Sequence, residues 1–424
     1  MKKLSSKQFL EQFCTRKADS GFDPDVLQSA AAILQDVRLK GDQAVRKYTE
    51  QFDGTSTEQL LVSNAEIVAA NEKVAPETVT ALQQAAANIS AFHEKQVMTS
   101  RIMVAEEGKQ LGQLVLPMER IGIYVPGGKA VYPSTILMNA IPARLAGVKE
   151  IIMVTPVKDD GEIAPVLVAA AEIAGVDKIY KIGGAQAIGA LAYGTETIAP
   201  VDKIVGPGNA FVAAAKMLVF GQVGIDMIAG PSEVAIIADE TADASYIAAD
   251  LLAQAEHDEN ARVVLLTDSE SLIAAVEKEL QDQLEQLPRK AIAAEAIHGD
   301  SALVLTESAE ESFELSNAFA PEHLEIQTAD PLATLGKIKH AGSVFLGSYA
   351  PTALGDYFGG TNHVLPTNGT ARFSSGLSVD DFIKKTTYTY YDKQALQQSK
   401  TAITQLTEEE QLTGHGDSIN IRFK

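Results

Sequence analysis

An alternation of short apolar segments with alanine-rich segments, from about residue 120 to residue 350, most constrains how this chain can fold. The apolar segments predict strands, and the alanine-rich segments repeat apolar residues at helical spacing. The predicted strands are 121–125, 151–154, 178–182, 203–205, 234–237, 262–267, 302–305 and 343–346. The predicted helices between them are 134–146, 165–174, 185–193, 209–220, 245–257 and 269–286. Strands that alternate with helices in this way predict parallel sheets of the α/β class.

The pattern and the length of the chain together predict more than one domain. At 424 residues the chain is long for a single hydrophobic core. We expect an α/β fold with two Rossmann-like parallel-sheet domains, a helical N-terminal extension and a small C-terminal arm. The expected divisions are 1–22 for the extension, 23–122 with 233–376 for the first domain, 123–232 for the second domain and 377–424 for the arm. The arm is polar and too short for its own core, so it should pack against another domain or subunit.

Composition narrows the kinds of partner. The formal net charge is −21, and so acidic a surface repels nucleic-acid backbones and anionic membranes. The lone Cys14 excludes an intramolecular disulfide and a cysteine-based zinc knuckle, and we interpret it as a bystander. No signal-peptide core follows Met1, and no run of about 20 uncharged apolar residues occurs. We therefore expect a soluble cytoplasmic protein that binds neither nucleic acid nor membranes.

Four of the seven histidines stand beside other residues that can carry chemistry. We interpret the other three, His93, His298 and His340, as structural, and we expect His93 on a polar helix face. Gln254 and His257 end a predicted helix, and residues three apart share a helix face, as two ligands of one cation would. Imidazole suits zinc, but an amide oxygen is a less usual ligand. The pair by itself also fits an ordinary polar helix end.

Glu322 and His323 follow Pro321, which breaks the preceding helix and places the pair at the start of a strand. Adjacent residues of an extended chain point to opposite sides, so the two side chains cannot both aim at one atom without a bend, although they could serve two different proton transfers. A chance Glu-His dipeptide explains the sequence equally well.

Glycines flank two further histidines and also form part of three predicted turns. Residues 355–363 place Asp356 and His363 in a glycine-rich loop that could wrap a ligand. His415 lies between two glycines near the C-terminus, and a flexible exposed residue is the alternative interpretation. The glycine-rich turns 126–128, 183–186 and 206–209 follow predicted strands, where backbone N–H groups can meet a pyrophosphate. None has the usual dinucleotide fingerprint, so the residues alone indicate only an α/β enzyme able to bind a metal and a nucleotide.

Taken in order, these motifs resemble the histidinol dehydrogenase family over about residues 25–420. The segments that carry the resemblance are Tyr124-Val125-Pro126-Gly127-Gly128, 183–194, 202–216, Ala229-Gly230-Pro231-Ser232-Glu233, 254–257, 320–325 and 341–379. Two departures stand beside them: Thr361 occupies a position where proline is expected, and Gly414 one where alanine is more usual. Neither departure removes a predicted ligand.

The resemblance implies oxidation of L-histidinol to L-histidine through L-histidinaldehyde with two NAD, at the end of histidine biosynthesis. It implies one zinc per subunit, mostly in the first domain, and NAD contacts in the second. The implied zinc ligands are Gln254, His257, Asp356 and His415, and the proton-transfer pair is Glu322 and His323. The implied substrate contacts are Ser232, Gln254, His257, His323, Asp356, His363, Glu410 and His415, and the NAD contacts are Tyr124, Gln186 and Asn209.

The resemblance also implies a homodimer with a shared active site, in which His415 and Glu410 come from the neighbouring subunit. A zinc-dependent hydrolase of amides or esters would use similar ligands and a glutamate base, but it does not account for the three glycine-rich turns. A non-catalytic metal-binding or scaffold protein would bind zinc without turnover.

Overall fold

The computed structural model describes residues 1–15, 23–54, 59–127, 131–157, 161–228 and 230–424. The strands are β1 (Lys2–Ser5), β2 (Arg101–Glu106), β3 (Lys109–Pro117), β4 (Arg120–Tyr124), β5 (Glu150–Thr155), β6 (Lys178–Lys181), β7 (Lys203–Val205), β8 (Gly224–Ile225), β9 (Glu233–Ala238), β10 (Arg262–Thr267), β11 (Ala302–Leu305), β12 (His323–Gln327), β13 (Ser343–Leu346) and β14 (Ile383–Tyr391). The helices are α1 (Ser6–Phe9), α2 (Pro24–Lys40), α3 (Asp42–Asp53), α4 (Asn64–Asn71), α5 (Pro76–His93), α6 (Pro133–Ala146), α7 (Pro165–Ile173), α8 (Gly184–Tyr193), α9 (Ala210–Val219), α10 (Ala244–Ala255), α11 (Glu270–Leu284), α12 (Lys290–His298), α13 (Ala309–Phe319), α14 (Thr352–Tyr357), α15 (Lys393–Glu409) and α16 (Thr413–Asn420).

Two parallel sheets dominate the described chain and confirm the predicted α/β class. One sheet has the order β6-β5-β4-β7-β8, and the other has the order β1-β11-β10-β9-β12-β13. In each sheet the strand order reverses beside the first strand of the unit, between β4 and β7 and between β9 and β12. Such a reversal creates a crevice, which is where open α/β sheets bind ligands.

Strand β9 shows why the parallel strands have mostly apolar sequences without an alternation of apolar and polar residues. Every residue of β9 is buried, because both faces of the sheet are covered. Val234 and Ile236 face one hydrophobic core, and Ala235 and Ile237 face the other. Successive side chains of a strand point to opposite faces, so both sets must be apolar.

The first residues differ from the expected helical extension, because Lys2–Ser5 forms the edge strand β1 and pairs in parallel with β11. Helix α1 and a π-helical turn at Leu10–Cys14 follow it. The strand is short and mostly exposed, so its sequence has no apolar alternation to reveal it. The rest of the expected extension, residues 16–22, lies outside the described residues.

Helices α2 to α5 pack beside the five-stranded sheet, whereas we expected residues 23–122 to join 233–376. Leu34 and Val37 of α2 share a hydrophobic core with Ile188 of α8. A side chain at Gly189 would meet Leu34 and Val37 at 3.2 Å, so glycine permits this close helix contact. We propose that these helices belong with the domain at 123–232.

A third sheet, of antiparallel strands in the order β14-β3-β2, was not predicted. Strand β14 pairs along its whole length with β3, from Ile383 opposite Pro117 to Tyr391 opposite Lys109. Helix α15 follows and buries only Ala395 among its residues. Among the described residues, no helix has the length and apolar character to cross a membrane.

Candidate active site

Glu322 and His323 enter the six-stranded sheet at the amino end of β12, beside the start of β9. Ala320 ends α13 in a left-handed conformation with φ of 54°, which is unusual for a residue with a side chain. Pro321 then prevents the helix from continuing. As a result His323 begins β12 opposite Val234, next to the start of β9. The predicted position of the pair at a strand start is confirmed.

The backbone of Glu233 holds both members of the pair. Its N–H donates to Oε2 of Glu322 at 2.9 Å, and its carbonyl oxygen lies 2.9 Å from Nδ1 of His323. Nδ1 therefore carries the proton that it donates to this carbonyl, and Nε2 keeps a lone pair in the neutral ring. Nε2 of His323 is buried and has no hydrogen-bond partner among the residues that the structure describes. A free, oriented imidazole nitrogen of this kind is suited to accept a proton.

The two side chains also set each other's charge. Burial disfavours the charged imidazole of His323, but the carboxylates of Glu322 and Asp356 outweigh it and raise the pKa to about 9, rather than leave it at the ordinary value of about 6.5. Burial raises the pKa of Glu322 to about 7, although the nearby imidazole opposes this shift. Oε2 of Glu322 lies 3.6 Å from Nδ1 of His323. The two side chains therefore lie close enough to influence each other's charge, and Glu322 can turn towards His323 because it precedes the extended chain of β12.

Asp356 brings the predicted metal-binding residues into one neighbourhood. Its Oδ1 lies 3.7 Å from Nε2 of His323, and its backbone oxygen lies 2.9 Å from Nδ1 of His363. Burial would raise the pKa of Asp356, but the imidazoles of His323, His363 and His257 outweigh it and hold the pKa below its ordinary value. An ionised carboxylate beside imidazoles is the donor set that zinc prefers. Gln254, in the last turn of α10, is almost fully buried.

The C-terminal residues stand apart from this neighbourhood in the single chain. His415 is exposed on α16, and Glu410 is exposed at the end of α15. Over the residues that the structure describes, no three His, Cys, Asp or Glu side chains are arranged to hold a metal ion. One chain therefore does not assemble the predicted set of zinc ligands. Ser232 is half-buried directly before β9, next to Glu233, whose backbone holds Glu322 and His323.

The predicted dinucleotide contacts lie at the carboxyl edge of the five-stranded sheet. The hydroxyl of Tyr124, at the end of β4, accepts from the N–H of Gly184 at 3.1 Å, and burial raises its pKa to about 12. Gln186 is fully buried, yet neither polar atom of its side chain has a hydrogen-bond partner in the described part of the chain. Buried amides are normally hydrogen-bonded, so this orphan fits a ligand that is bound there. Asn209 caps α9 by accepting from Phe211 N–H and Val212 N–H, both at 3.1 Å.

Glycine is required in the turn between β7 and α9. A side chain at Gly206 would meet the backbone oxygen of Tyr124 at 2.2 Å, and the residue has a φ of 104°. The buried side chains of Lys216 and Asp226 form an ion pair that also bonds to the backbone of Gly206. The turn that we predicted as nucleotide-binding is thus held rigidly. Gly128, from another predicted turn, lies outside the described residues.

Some supporting residues were missed by the sequence reasoning. Glu233 pairs through its buried carboxylate with Arg262 at 2.9 Å, which fixes the strand end that holds Glu322 and His323. A charged residue at the head of an otherwise apolar strand was the available signal. His93, expected on a polar face, is buried, and its Nε2 lies 3.4 Å from Nδ2 of Asn362. It thereby supports the loop that carries His363.

Comparison with known proteins gives the family. The family model described as histidinol dehydrogenase matches residues 16–423. Histidinol dehydrogenase of Clostridium acetobutylicum is 51% identical over 400 residues, covering 94% of this chain and 93% of the relative. That of Bacillus anthracis is 53% identical over 398 residues, covering 94% and 92%. The crystal structure of histidinol dehydrogenase from Elizabethkingia anophelis matches with a TM-score of 0.93 and 41% identity, covering 99% of this chain and 96% of that one. The chain belongs to the histidinol dehydrogenase family.

Proposed function

We propose that the protein oxidises L-histidinol to L-histidine through L-histidinaldehyde, with two NAD as hydride acceptors and zinc as the metal, at the end of histidine biosynthesis. The observation that carries the proposal is the buried Nε2 of His323, which has no hydrogen-bond partner among the described residues and lies 3.7 Å from Oδ1 of Asp356. Family membership supplies the substrate, because the similar proteins of several bacteria are named histidinol dehydrogenase.

His323 acts in both oxidations. In the first, Nε2 accepts the hydroxyl proton of the alcohol while the carbinol carbon gives a hydride to NAD. Alcohol and NAD⁺ thus yield aldehyde, NADH and one proton. The carbonyl of Glu233 keeps the ring orientation fixed, so Nε2 is the nitrogen that accepts the proton.

Glu322 serves the step between the oxidations. With its pKa raised by burial to about 7, its carboxylate can take a proton from water near neutral pH. The oxygen of that water adds to the aldehyde carbon, and Glu322 returns the proton to the former carbonyl oxygen, which gives the hydrate. The carbon of the hydrate would then give the second hydride to NAD. His323, after it has released the first proton to solvent, accepts a hydroxyl proton of the hydrate, and the product is the carboxylic acid. Two adjacent bases therefore serve successive steps.

Gln254, His257 and Asp356 would hold the zinc together with His415 of a second subunit, with one zinc in each subunit. When bound, the metal would supply a template for the substrate imidazole and amine and a positive charge that opposes the imidazolium of His323. The exposed position of His415 in the single chain supports a site shared by a homodimer, in which Glu410 of the same arm would reach the substrate.

The remaining predicted contact residues fall into two groups, one for the substrate and one for NAD. Ser232 and His363 lie beside the catalytic pair and Asp356, where a substrate held at the metal would meet them. Tyr124, Gln186 and Asn209 would bind NAD at the switch point of the five-stranded sheet. The orphaned amide of Gln186 supports this assignment, because a bound dinucleotide would satisfy it.

The test is the appearance of NADH absorbance when the purified protein meets L-histidinol and NAD. We expect turnover that stops after chelation and returns when zinc is added. A metal-free protein with full activity would overturn the zinc assignment. Hydrolysis of an ester or amide without reduction of NAD would favour the hydrolase instead.

A further inference from the structure

A buried polar cluster lies on the same strand as His323 and takes no part in the chemistry proposed above. It consists of Asp250, Glu325 and Gln327, and we call it the carboxyl cluster. Nε2 of Gln327 donates to Oδ2 of Asp250 at 2.9 Å and to Oε2 of Glu325 at 3.0 Å. Oε1 of Glu325 accepts from the N–H of Thr352 at 2.8 Å. Glu325 and Gln327 are almost fully buried, and Asp250 is half-buried.

The cluster holds two carboxyl groups close together, and the hydrogen bonds that it makes with described residues include no cationic side chain. Asp250 and Glu325 are within hydrogen-bonding reach of each other. Burial, together with the charge of Asp250, raises the pKa of Glu325 to about 8, and burial raises the pKa of Asp250. Two such groups retain one proton between them, because both cannot be charged at this separation. The amide of Gln327 donates its two hydrogens to the two carboxyl groups, whereas its buried Oε1 has no hydrogen-bond partner among the described residues.

Two residues of the carboxyl cluster, and the residue whose N–H the cluster binds, each lie next to a different part of the candidate active site. Asp250 precedes Gln254 by one turn of α10, and His257 follows. Glu325 lies two residues beyond His323 on β12, so both side chains are on one face of the strand. Thr352 is the first residue of α14, one turn before Asp356. The cluster therefore ties together the three elements that carry the predicted metal and proton-transfer residues.

We infer that the carboxyl cluster is a positioning device that sets the spacing of α10, β12 and α14, and through it the affinity for zinc and the turnover number. The inference rests on the proposed zinc-dependent function. Groups behind metal ligands typically change metal affinity or activity by about 10- to 100-fold when they are removed. A cluster that only stabilised the fold would change the unfolding midpoint without changing either quantity.

The first test replaces Asp250 by Ala and, as the matched control, by Asn. Alanine favours the helix, and the site is half-buried, so the variant should fold. We expect Asp250→Ala to bind zinc about 10-fold more weakly, measured by competition with a chromophoric chelator, and to lose kcat by a similar factor. Asn can accept from Gln327 and donate to Glu325, so Asp250→Asn should stay within about 3-fold of the wild type.

A second test removes the hydrogen bond between the carboxyl cluster and α14. Thr352 occupies the first helical position, where proline is tolerated, so Thr352→Pro removes the N–H donor and leaves the helix start intact. Thr352→Val keeps that N–H and is the matched control. We expect Thr352→Pro to weaken zinc binding and kcat in the same way as Asp250→Ala. This comparison decides the inference if Asp250→Ala does not fold.

Ser312→Ala measures the effect of lost stability alone. It removes a buried hydroxyl that bonds to Thr306 at 2.8 Å, beside the same sheet and away from the site. The inference is overturned if Asp250→Ala and Thr352→Pro lose stability as Ser312→Ala does but keep zinc affinity and kcat. Equal losses in Asp250→Asn and Asp250→Ala would also contradict it. A wild-type protein without zinc binding or histidinol oxidation would instead refute the proposed function.

Discussion

Replacing Glu322 by Gln should separate the two oxidations. Gln can still accept from the N–H of Glu233, the contact that Oε2 now makes at 2.9 Å, so the site should keep its shape. The variant loses the base assigned to hydration of the aldehyde. A general base contributes about 10²- to 10⁴-fold, which corresponds to about 3–5 kcal/mol of activation free energy. We expect this loss in the oxidation of histidinaldehyde, whereas the oxidation of histidinol should fall by no more than about 3-fold.

The assay measures NADH formation in single turnovers with each substrate supplied separately. Glu310→Gln is the matched control, because Glu310 is an exposed carboxylate paired with Lys337 in the same part of the chain. Both oxidations should proceed at the wild-type rate in this control. An equal loss of both oxidations in Glu322→Gln would refute the division of labour between Glu322 and His323.

Other changes test the remaining parts of the site. His323→Asn should depress both oxidations by at least about 10²-fold in the same single-turnover assay, because it removes the shared base; an unchanged aldehyde step would contradict this. Asp226→Asn leaves the buried ammonium of Lys216 without its carboxylate. The free energy of unfolding, measured with denaturant, should therefore fall by about 3–5 kcal/mol, and the KM for NAD should rise. Retention of full stability would contradict the role of the ion pair. Glu325 has a pKa near 8 in the folded protein against 4.5 ordinarily, so the folded state holds a proton that the unfolded state releases. The corresponding stability is complete below pH 4.5 and is lost as the pH rises towards 8, so the unfolding midpoint should fall over this range and fall less in Glu325→Gln.

The strands of the two parallel sheets could be predicted closely because both of their faces are buried. β10 and β11 have the predicted limits; β11 is a continuous apolar run, and β10 is one between Arg262 and Thr267. β1 and β14 could not be predicted in the same way, because their residues are mostly exposed and their order comes from pairing with distant strands. Pairing between segments hundreds of residues apart leaves no local periodicity to read.

In the candidate active site, too, some features could be predicted from the sequence and others could not. Glu322, His323 and Asp356 could be named from the sequence, and the structure brings them together. Their shifted pKa values could not be named, because these depend on burial and on the pairing of β9 with β12, which sets Glu233 beside the catalytic pair. His415 was identified through the family resemblance, and its exposed position in one chain leaves its assignment to the zinc as a proposal.

The most direct test of the central claim is the ratio of NADH to L-histidine formed from a limiting amount of L-histidinol by the zinc-loaded protein. Two successive oxidations by one site predict two NADH for each histidine, without free aldehyde at the end of the reaction. One NADH for each histidinol, with histidinaldehyde accumulating, would contradict the claim that Glu322 and His323 complete both steps.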